Sequence, residues 1–286
     1  MKKSYDIAII LILLLSSCGE YSKVQKTMDY DYKYEVAKSY YMDGHYSRAS
    51  QLFGDMLALL KGTPYGEECL FFLAMSNFYN KDYESSSTYF RKYYQSYPKG
   101  VYVELAHYYC GLALYRETPD PRLDQTTTQE AIDEMQSFLD FYPTTSLKEV
   151  TQQMIYTLQD KLVEKEYRAA KLYYDLGAYV INSAYGGNNY EACMVTAQNA
   201  LKDYPYVSSA RREDLSMLIL RSRYHLALQS VEEKRISRYR EVIDEYYAFA
   251  NDFPESKYLK EAQEFFQKSE TAVKKKGASL EEKEEE

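Results

Sequence analysis

The side chains able to do chemistry are few and scattered. The histidines His45, His107 and His225 lie far apart, and none has a His or Cys four residues away with which to share a metal ion. A Gly-x-Ser-x-Gly nucleophile motif is absent, as is a glycine-rich loop followed by lysine and serine; Gly186-Gly187 sit in a run from Tyr185 to Asn189 that reads as a turn. Carboxylate pairs such as Glu67-Glu68 and Glu232-Glu233 fall in polar stretches where water would solvate them. No metal site, cofactor or catalytic constellation is expected from these residues, so the reading is of a non-enzyme. Cys69, Cys110 and Cys193 lie inside helical patterns and form no close pairs, which marks them as core residues and not a disulfide framework. Cys18 is placed differently, at the end of Leu15-Ser16-Ser17-Cys18 and directly behind the apolar run Ile7 to Leu15. The abundant resource is tyrosine, 34 of 286 residues with no tryptophan, which includes the pairs Tyr40-Tyr41, Tyr93-Tyr94, Tyr108-Tyr109, Tyr173-Tyr174 and Tyr246-Tyr247. Neighbours on a helix point about 100° apart, so one ring of a pair can pack inward while the other faces a groove. An apolar body with a polar tip suits tyrosine to that position.

Rings so placed need helices to carry them, and helical spacing runs through the chain. Tyr83 to Pro98 contains an aromatic, a small residue three places on (Ser86), then Phe90, Tyr93 and a terminating proline. The same frame precedes Pro205, with Tyr190, Cys193, Ala197 and Ala200, and precedes Pro254, with Tyr239, Val242, Tyr246 and Phe249. Ala131, Met135 and Phe138 precede Pro143, with Thr128 in the aromatic position; Tyr46, Ala49 and Phe53 keep the spacing near the front, although Pro64 falls three residues late. Pro64 and Pro98 are 34 residues apart. The frame resembles the second helix of a tetratricopeptide repeat. It predicts an all-α solenoid of about five helix pairs plus a C-terminal helix.

The apolar run Ile7 to Leu15 is nine residues long, too short for a bilayer, which takes about 20, and it follows Lys2-Lys3 as a secretory signal would. Small residues before a cysteine at this point resemble the lipobox of bacterial lipoproteins, which implies cleavage before Cys18 and lipidation of that thiol. The only cofactor-like group expected is this covalent lipid. Cleavage leaves 269 residues and moves the formal charge from −8 to −9. An acidic body gives nucleic acid no footing.

The chain then divides by pattern. Residues 1–17 are the signal and 18–30 a polar, lipidated tether. Residues 31–145 hold the first three repeats, with a proline-containing insertion at 117–125. Residues 146–254 hold the fourth and fifth, led by one long helix from Ser146 to about Ile181 that bridges the two halves. A capping helix is expected at 255–273, and a disordered charged tail at 274–286.

The long helix carries the most specific likeness. Leu158-Gln159-Asp160-Lys161-Leu162-Val163-Glu164-Lys165-Glu166-Tyr167, continuing through Ala169-Ala170, Tyr173-Tyr174 and Gly177-Ala178-Tyr179, is similar to the middle helix of the BamD family, lipoproteins of the outer-membrane β-barrel assembly machinery. The resemblance covers roughly residues 15 to 254. It implies a scaffold and receptor on the periplasmic face of the outer membrane, with C-terminal repeats that dock on a BamA-type insertase. It also implies a pocket in the N-terminal repeats for the C-terminal segment of unfolded outer-membrane proteins, for which Tyr40, Tyr41, Phe72, Asn77 and Tyr108 would supply aromatic contacts and an amide. The chain departs from the family in its Tyr185 to Asn189 loop and in the helix from Glu255 with its tail. Two other readings stand beside this one: an adaptor for cell-wall or envelope enzymes, and a glycan-capture lipoprotein of the SusD type, which this shorter chain without tryptophan fits poorly.

Overall fold

What ends the helices organises the fold. In the computed structural model, which describes residues 21–177 and 188–284, a short helix α1 over residues 21–26 precedes eleven longer ones. These are α2 (Tyr30–Met42), α3 (Tyr46–Leu57), α4 (Pro64–Tyr79), α5 (Tyr83–Ser96), α6 (Val103–Glu117), α7 (Thr126–Phe141), α8 (Lys148–Leu176), α9 (Asn189–Asp203), α10 (Ser209–Leu228), α11 (Glu232–Asp252) and α12 (Leu259–Glu284). The described residues contain no strand, and within the runs α2 to α7 and α9 to α12 each helix packs on its sequence neighbour as a tetratricopeptide-like solenoid requires.

Tyr97, Tyr142, Tyr204 and Phe253 each cap a helix, each precedes a proline, and their backbones nearly coincide, at φ −126, −125, −123 and −132° with ψ 65, 65, 71 and 65°. The proline ring bars its predecessor from the helical region, so the helix stops there. The cap N–H still donates to the carbonyl four residues back, and Gly100, Thr145, Val207 and Ser256 donate to the cap carbonyls to close identical turns. Three of the cap rings fold onto the aromatic four places earlier, Tyr93, Phe138 and Phe249, with centroids 5.3–5.5 Å apart. Helix starts are equally local. Asp29, Asp82 and Asn188 accept from the backbone N–H groups of Tyr32, Ser85 and Tyr190, satisfying donors that the helix itself leaves open.

Two units divide the chain, and the division falls within α8, between Ile155 and Tyr156. The first takes in α2 to α7. Its small-residue positions Ala49, Ser86 and Ala131 are fully buried, and Phe53, Phe90, Tyr93 and Phe138 fill the space beside them. Gly111 lies so close to Met135 that a Cβ would come within 2.9 Å of its Cγ. The second unit holds residues 120–124, the rest of α8, and α9 to α12. Val163 and Ala170 of α8 pack with Cys193, Ala197, Leu215 and Leu218, and a second cluster joins Met217, Leu220, Val242, Phe249 and Ala262. The Tyr190 ring occupies the space a Gly177 side chain would need.

Three expectations differ from the structure. The described part of the tether packs on the fold: residues 21–26 are helical and Val24 is buried in the first core cluster. A polar stretch with two isolated apolar residues shows no period, so the docking gives no local signal. Helix α8 ends at Leu176, short of Ile181, and residues 178–187 lie outside the described residues. Helix α12 continues past Val273 to Glu284, through a tail whose composition suggested disorder. Lysine, glutamate and alanine are strong helix formers, and Lys274 pairs with Glu270 one turn back, at 2.9 Å.

Candidate functional site: an aromatic band in the first unit

Tyr41, near the end of α2, has its ring centroid 4.9 Å from Phe72 of α4 and 5.7 Å from Tyr46, the first residue of α3. Tyr46 stacks on Tyr79 at 4.8 Å. Contacts then pass through Phe78 to Tyr109 of α6 at 5.2 Å, to Tyr108 at 5.6 Å, and to Phe138 of α7 at 5.6 Å. Tyr83, which opens α5, closes on Phe78 at 5.5 Å. The repeat generates part of this band, because the last turns of α2 and α4 meet the first turns of α3 and α5 and carry Tyr41, Tyr46, Phe78, Tyr79 and Tyr83 there, while Phe72, Tyr108 and Tyr109 join from mid-helix positions. Tight turns hold the two ends together, with positive φ at Gly44 and at Lys81.

Tyr79 is 44% exposed, and Tyr41, Tyr46, Phe72, Phe78, Tyr108 and Tyr109 are half-buried. Burial raises the phenol pKa values of Tyr41, Tyr108 and Tyr109, and neighbouring tyrosines add to the rise at Tyr41; the Arg116 charge works against it at Tyr108. The phenols are therefore neutral donors with apolar faces. Such a surface stacks, excludes water and makes occasional hydrogen bonds.

Of the residues singled out in the sequence, Tyr41, Phe72 and Tyr108 belong to the band. Asn77 is beside it on α4 and buried, its carbonyl accepting from the Asp82 N–H at 2.9 Å. Tyr40 stands apart, edge-on to Tyr21 and to His45, each at 5.9 Å, with the Arg48 guanidinium 5.5 Å from its ring. Cys18 lies outside the described residues. Sequence reading missed Tyr46, Phe78, Tyr79 and Tyr109, although Phe78-Tyr79 just before one turn and Tyr46 just after another were available as a signal.

Behind the band is a buried polar knot. Glu134 accepts from Arg91 Nη2 at 3.0 Å and from the Tyr94 hydroxyl at 2.9 Å, and His107 Nε2 lies 3.4 Å from its Oε1. His107 is 3% exposed and stacks on Tyr94 at 4.4 Å. Burial lowers the imidazole pKa, the Arg91 charge lowers it further, and Glu134 opposes both. Burial raises the thiol pKa values of the described cysteines Cys69, Cys110 and Cys193, Cys69 to about 12, which leaves them little thiolate character.

In the second unit, the motif on α8 fixes the start of α10. Asp160 accepts from the Ser208 N–H at 3.1 Å, while Glu164 holds both Arg211 and Arg168. Arg211 also pairs with Asp214 at 3.2 Å and lies over the Tyr167 ring, 4.2 Å from its centroid. Asp160, Glu164, Ser208 and Arg211, with Pro121, Thr157 and Lys161, line an open cleft of about 330 Å³. Among the described residues no group of His, Cys, Asp or Glu is arranged to hold a metal ion, and no helix is long and apolar enough to cross a membrane.

Comparison with known proteins gives two findings. Residues 26–182, over half of the chain, match the model of the YfiO family, described as outer membrane lipoprotein. The chain is also similar to the putative outer membrane protein assembly factor BamD of Aquifex aeolicus (strain VF5), 27% identical over 175 residues. That match covers 60% of this chain and 57% of the relative, so the chain spans somewhat over half the length of the curated protein it matches.

Proposed function

The chain belongs to the YfiO family of outer membrane lipoproteins, and on that premise we propose that it is a non-enzymatic receptor and scaffold of the β-barrel assembly machinery. Lipid on Cys18 holds it at the periplasmic face of the outer membrane. Its first unit receives unfolded outer-membrane proteins, and its second docks on the periplasmic domains of a BamA-type insertase.

The observation that carries the client side is the continuous aromatic band from Tyr41 to Tyr108, which links partly exposed rings of three successive repeats. An extended peptide rich in aromatic side chains could lay successive rings against it, with its terminal carboxylate near the exposed Arg116. Burying one Phe-sized side chain contributes about 1.5–3 kcal/mol, whereas micromolar affinity corresponds to about 8 kcal/mol. Several rings must engage together, and each alone is weak. A receptor that passes its client onward benefits from contacts that release one by one. Tyr40, turned toward Tyr21, and the buried Asn77 support the edge of this surface in the proposal, while Tyr41, Phe72 and Tyr108 contact the client.

The test is fluorescence anisotropy with labelled peptides taken from the C-terminal strands of outer-membrane barrels and ending in Phe. Binding near the micromolar range is expected, and Tyr79→Ala should weaken it about 5- to 30-fold, the equivalent of roughly 1–2 kcal/mol, without moving the melting temperature. Equal binding by every variant of the band would overturn the assignment. For the second unit, the lipoprotein captured from mildly solubilised envelopes should bring a barrel insertase in stoichiometric amount; its absence would remove the docking role.

A further inference from the structure

The segment between the lipidation site and the first repeat is short and tied down. The Tyr21 hydroxyl donates to Gln51 Oε1 at 2.5 Å, and the Arg48 guanidinium lies 5.4 Å from the Tyr21 ring and 5.5 Å from that of Tyr40. Val24 is 7% exposed and packs in one cluster with Tyr34, Ala37, Leu52 and Phe53. Lys33, only 5% exposed, donates from Nζ to the Gln25 carbonyl at 2.7 Å, so a buried cation closes the C-terminal end of α1. Asp29 then caps α2. No slack remains between Tyr21 and the first repeat. From Cys18 to Tyr21 the chain advances three residues, which span at most about 11 Å when fully extended.

We infer that α1 is a strap that holds the first repeat against the lipid headgroups, with the bilayer surface as the partner of the face formed by α1 and the start of α2. In this stretch Lys23, Lys26, Met28 (80% exposed) and Tyr32 (53% exposed) face solvent, with the exposed Asp29 and Asp31 among them. Cations, an apolar side chain and a tyrosine are the residue types that settle at a headgroup layer. The inference rests on the proposed lipidation of Cys18. It adds a fixed height: an undocked tether of 18–30 would let the repeat drift several times farther from the membrane than three residues allow.

The test uses the full lipoprotein in liposomes that contain a nitroxide-headgroup lipid, with Met28→Cys as the fluorophore site and Gln136→Cys as the distant control. The native thiols Cys69, Cys110 and Cys193 are buried and will not take the label. Strong quenching at position 28 and weak quenching at 136 are expected. Insertion of six Gly-Ser residues between Glu20 and Tyr21 leaves α1 docked but triples the link. Effective concentration falls roughly as the −3/2 power of length, so quenching at 28 should drop about fivefold. The pair Tyr21→Ala with Val24→Ser should produce a similar drop by undocking α1. Protein that floats with the liposomes while position 28 stays unquenched, or quenching that ignores the insertion, would overturn the strap alone. Protein that fails to float would sink the lipid anchor, and the strap with it.

Discussion

The two units are cut to the same repeat but held together in different ways. In the first, ring packs on ring from Tyr41 to Phe138, and its ion pairs include Lys38 with Glu68 and the knot around Glu134. In the second, arginines tie one helix to the next: Arg211 to Glu164, Arg221 to Glu261 at 2.6 Å, Arg223 to Glu241 and Glu245, and Arg238 to Glu191. Aromatic faces tolerate many partners because every ring offers a π-face and an edge. Guanidinium–carboxylate pairs accept only one register, set by the planar fork. Under the proposed function, the difference would suit a first unit that meets varied clients and a second that keeps a defined interface.

The largest effect expected is in the first core. Phe90 is fully buried between Phe71 and Tyr109, and Phe90→Ala should cost about 3–5 kcal/mol. Hydrogen exchange should place the loss in α4 to α6; protection lost only in α9 to α11 would contradict the packing described. In the second unit, Arg211→Lys keeps the charge but loses the fork and the stack on Tyr167, at about 1 kcal/mol. Urea unfolding followed by exchange at α8 and α10 measures it. An equally stable lysine variant would mean that charge alone holds this junction, which would weaken the contrast between the units.

Protonation offers a finer comparison. Burial lowers the pKa of His107 in the first unit and of His225 in the second, from an ordinary value of 6.5. A folded state that resists the proton loses stability as pH falls below the unfolded value, because the unfolded chain takes up the proton first. His107 is nearly inaccessible and faces Arg91 and Glu134; His225 is half-buried, donor or acceptor to Tyr174, with Arg221 and Glu261 near. Between pH 7 and 5 the first unit should therefore weaken more, and His107→Gln should flatten its slope more than His225→Gln flattens that of the second. Thermal unfolding in parallel buffers reads both slopes, and equal ones would count against the buried knot.

Much of the repeat was legible because its signals are local. An aromatic before a proline stops a helix wherever it occurs, and a small residue seven or more places earlier marks the close approach. Four helix ends with one geometry follow from four dipeptides. The band was half legible, since Tyr41, Phe72 and Tyr108 were named as its members, while Tyr46 was read only as a repeat position and Tyr79 was not singled out. What the sequence hid lies in distant partners. Arg211 meets Glu164 across 47 positions, and Tyr40 is claimed by Tyr21, a ring in a stretch with no period of its own. Isolated residues whose partners come from another helix leave no trace in spacing.

The smallest effect on stability should be the most informative about function. Tyr79 and Tyr247 are comparable rings, 44% and 58% exposed, one on each unit. Tyr79 stacks on Tyr46 within the band, and Tyr247 lies edge-on to Phe266 at 5.4 Å. Replacing either with serine removes a ring that is about half in water, so each should shift stability by no more than about 1 kcal/mol. If exposed aromatics bind clients wherever they stand, both variants will weaken peptide binding alike. If the continuous band is the receptor surface, only Tyr79→Ser will do so, because Tyr247 belongs to a small cluster with Tyr246 and Phe266 on α11 and α12 and not to the rings that run from Tyr41 to Tyr108. Anisotropy titrations of the two variants against one Phe-ended peptide separate these cases, and a loss with Tyr247→Ser alone would move the client surface to the second unit.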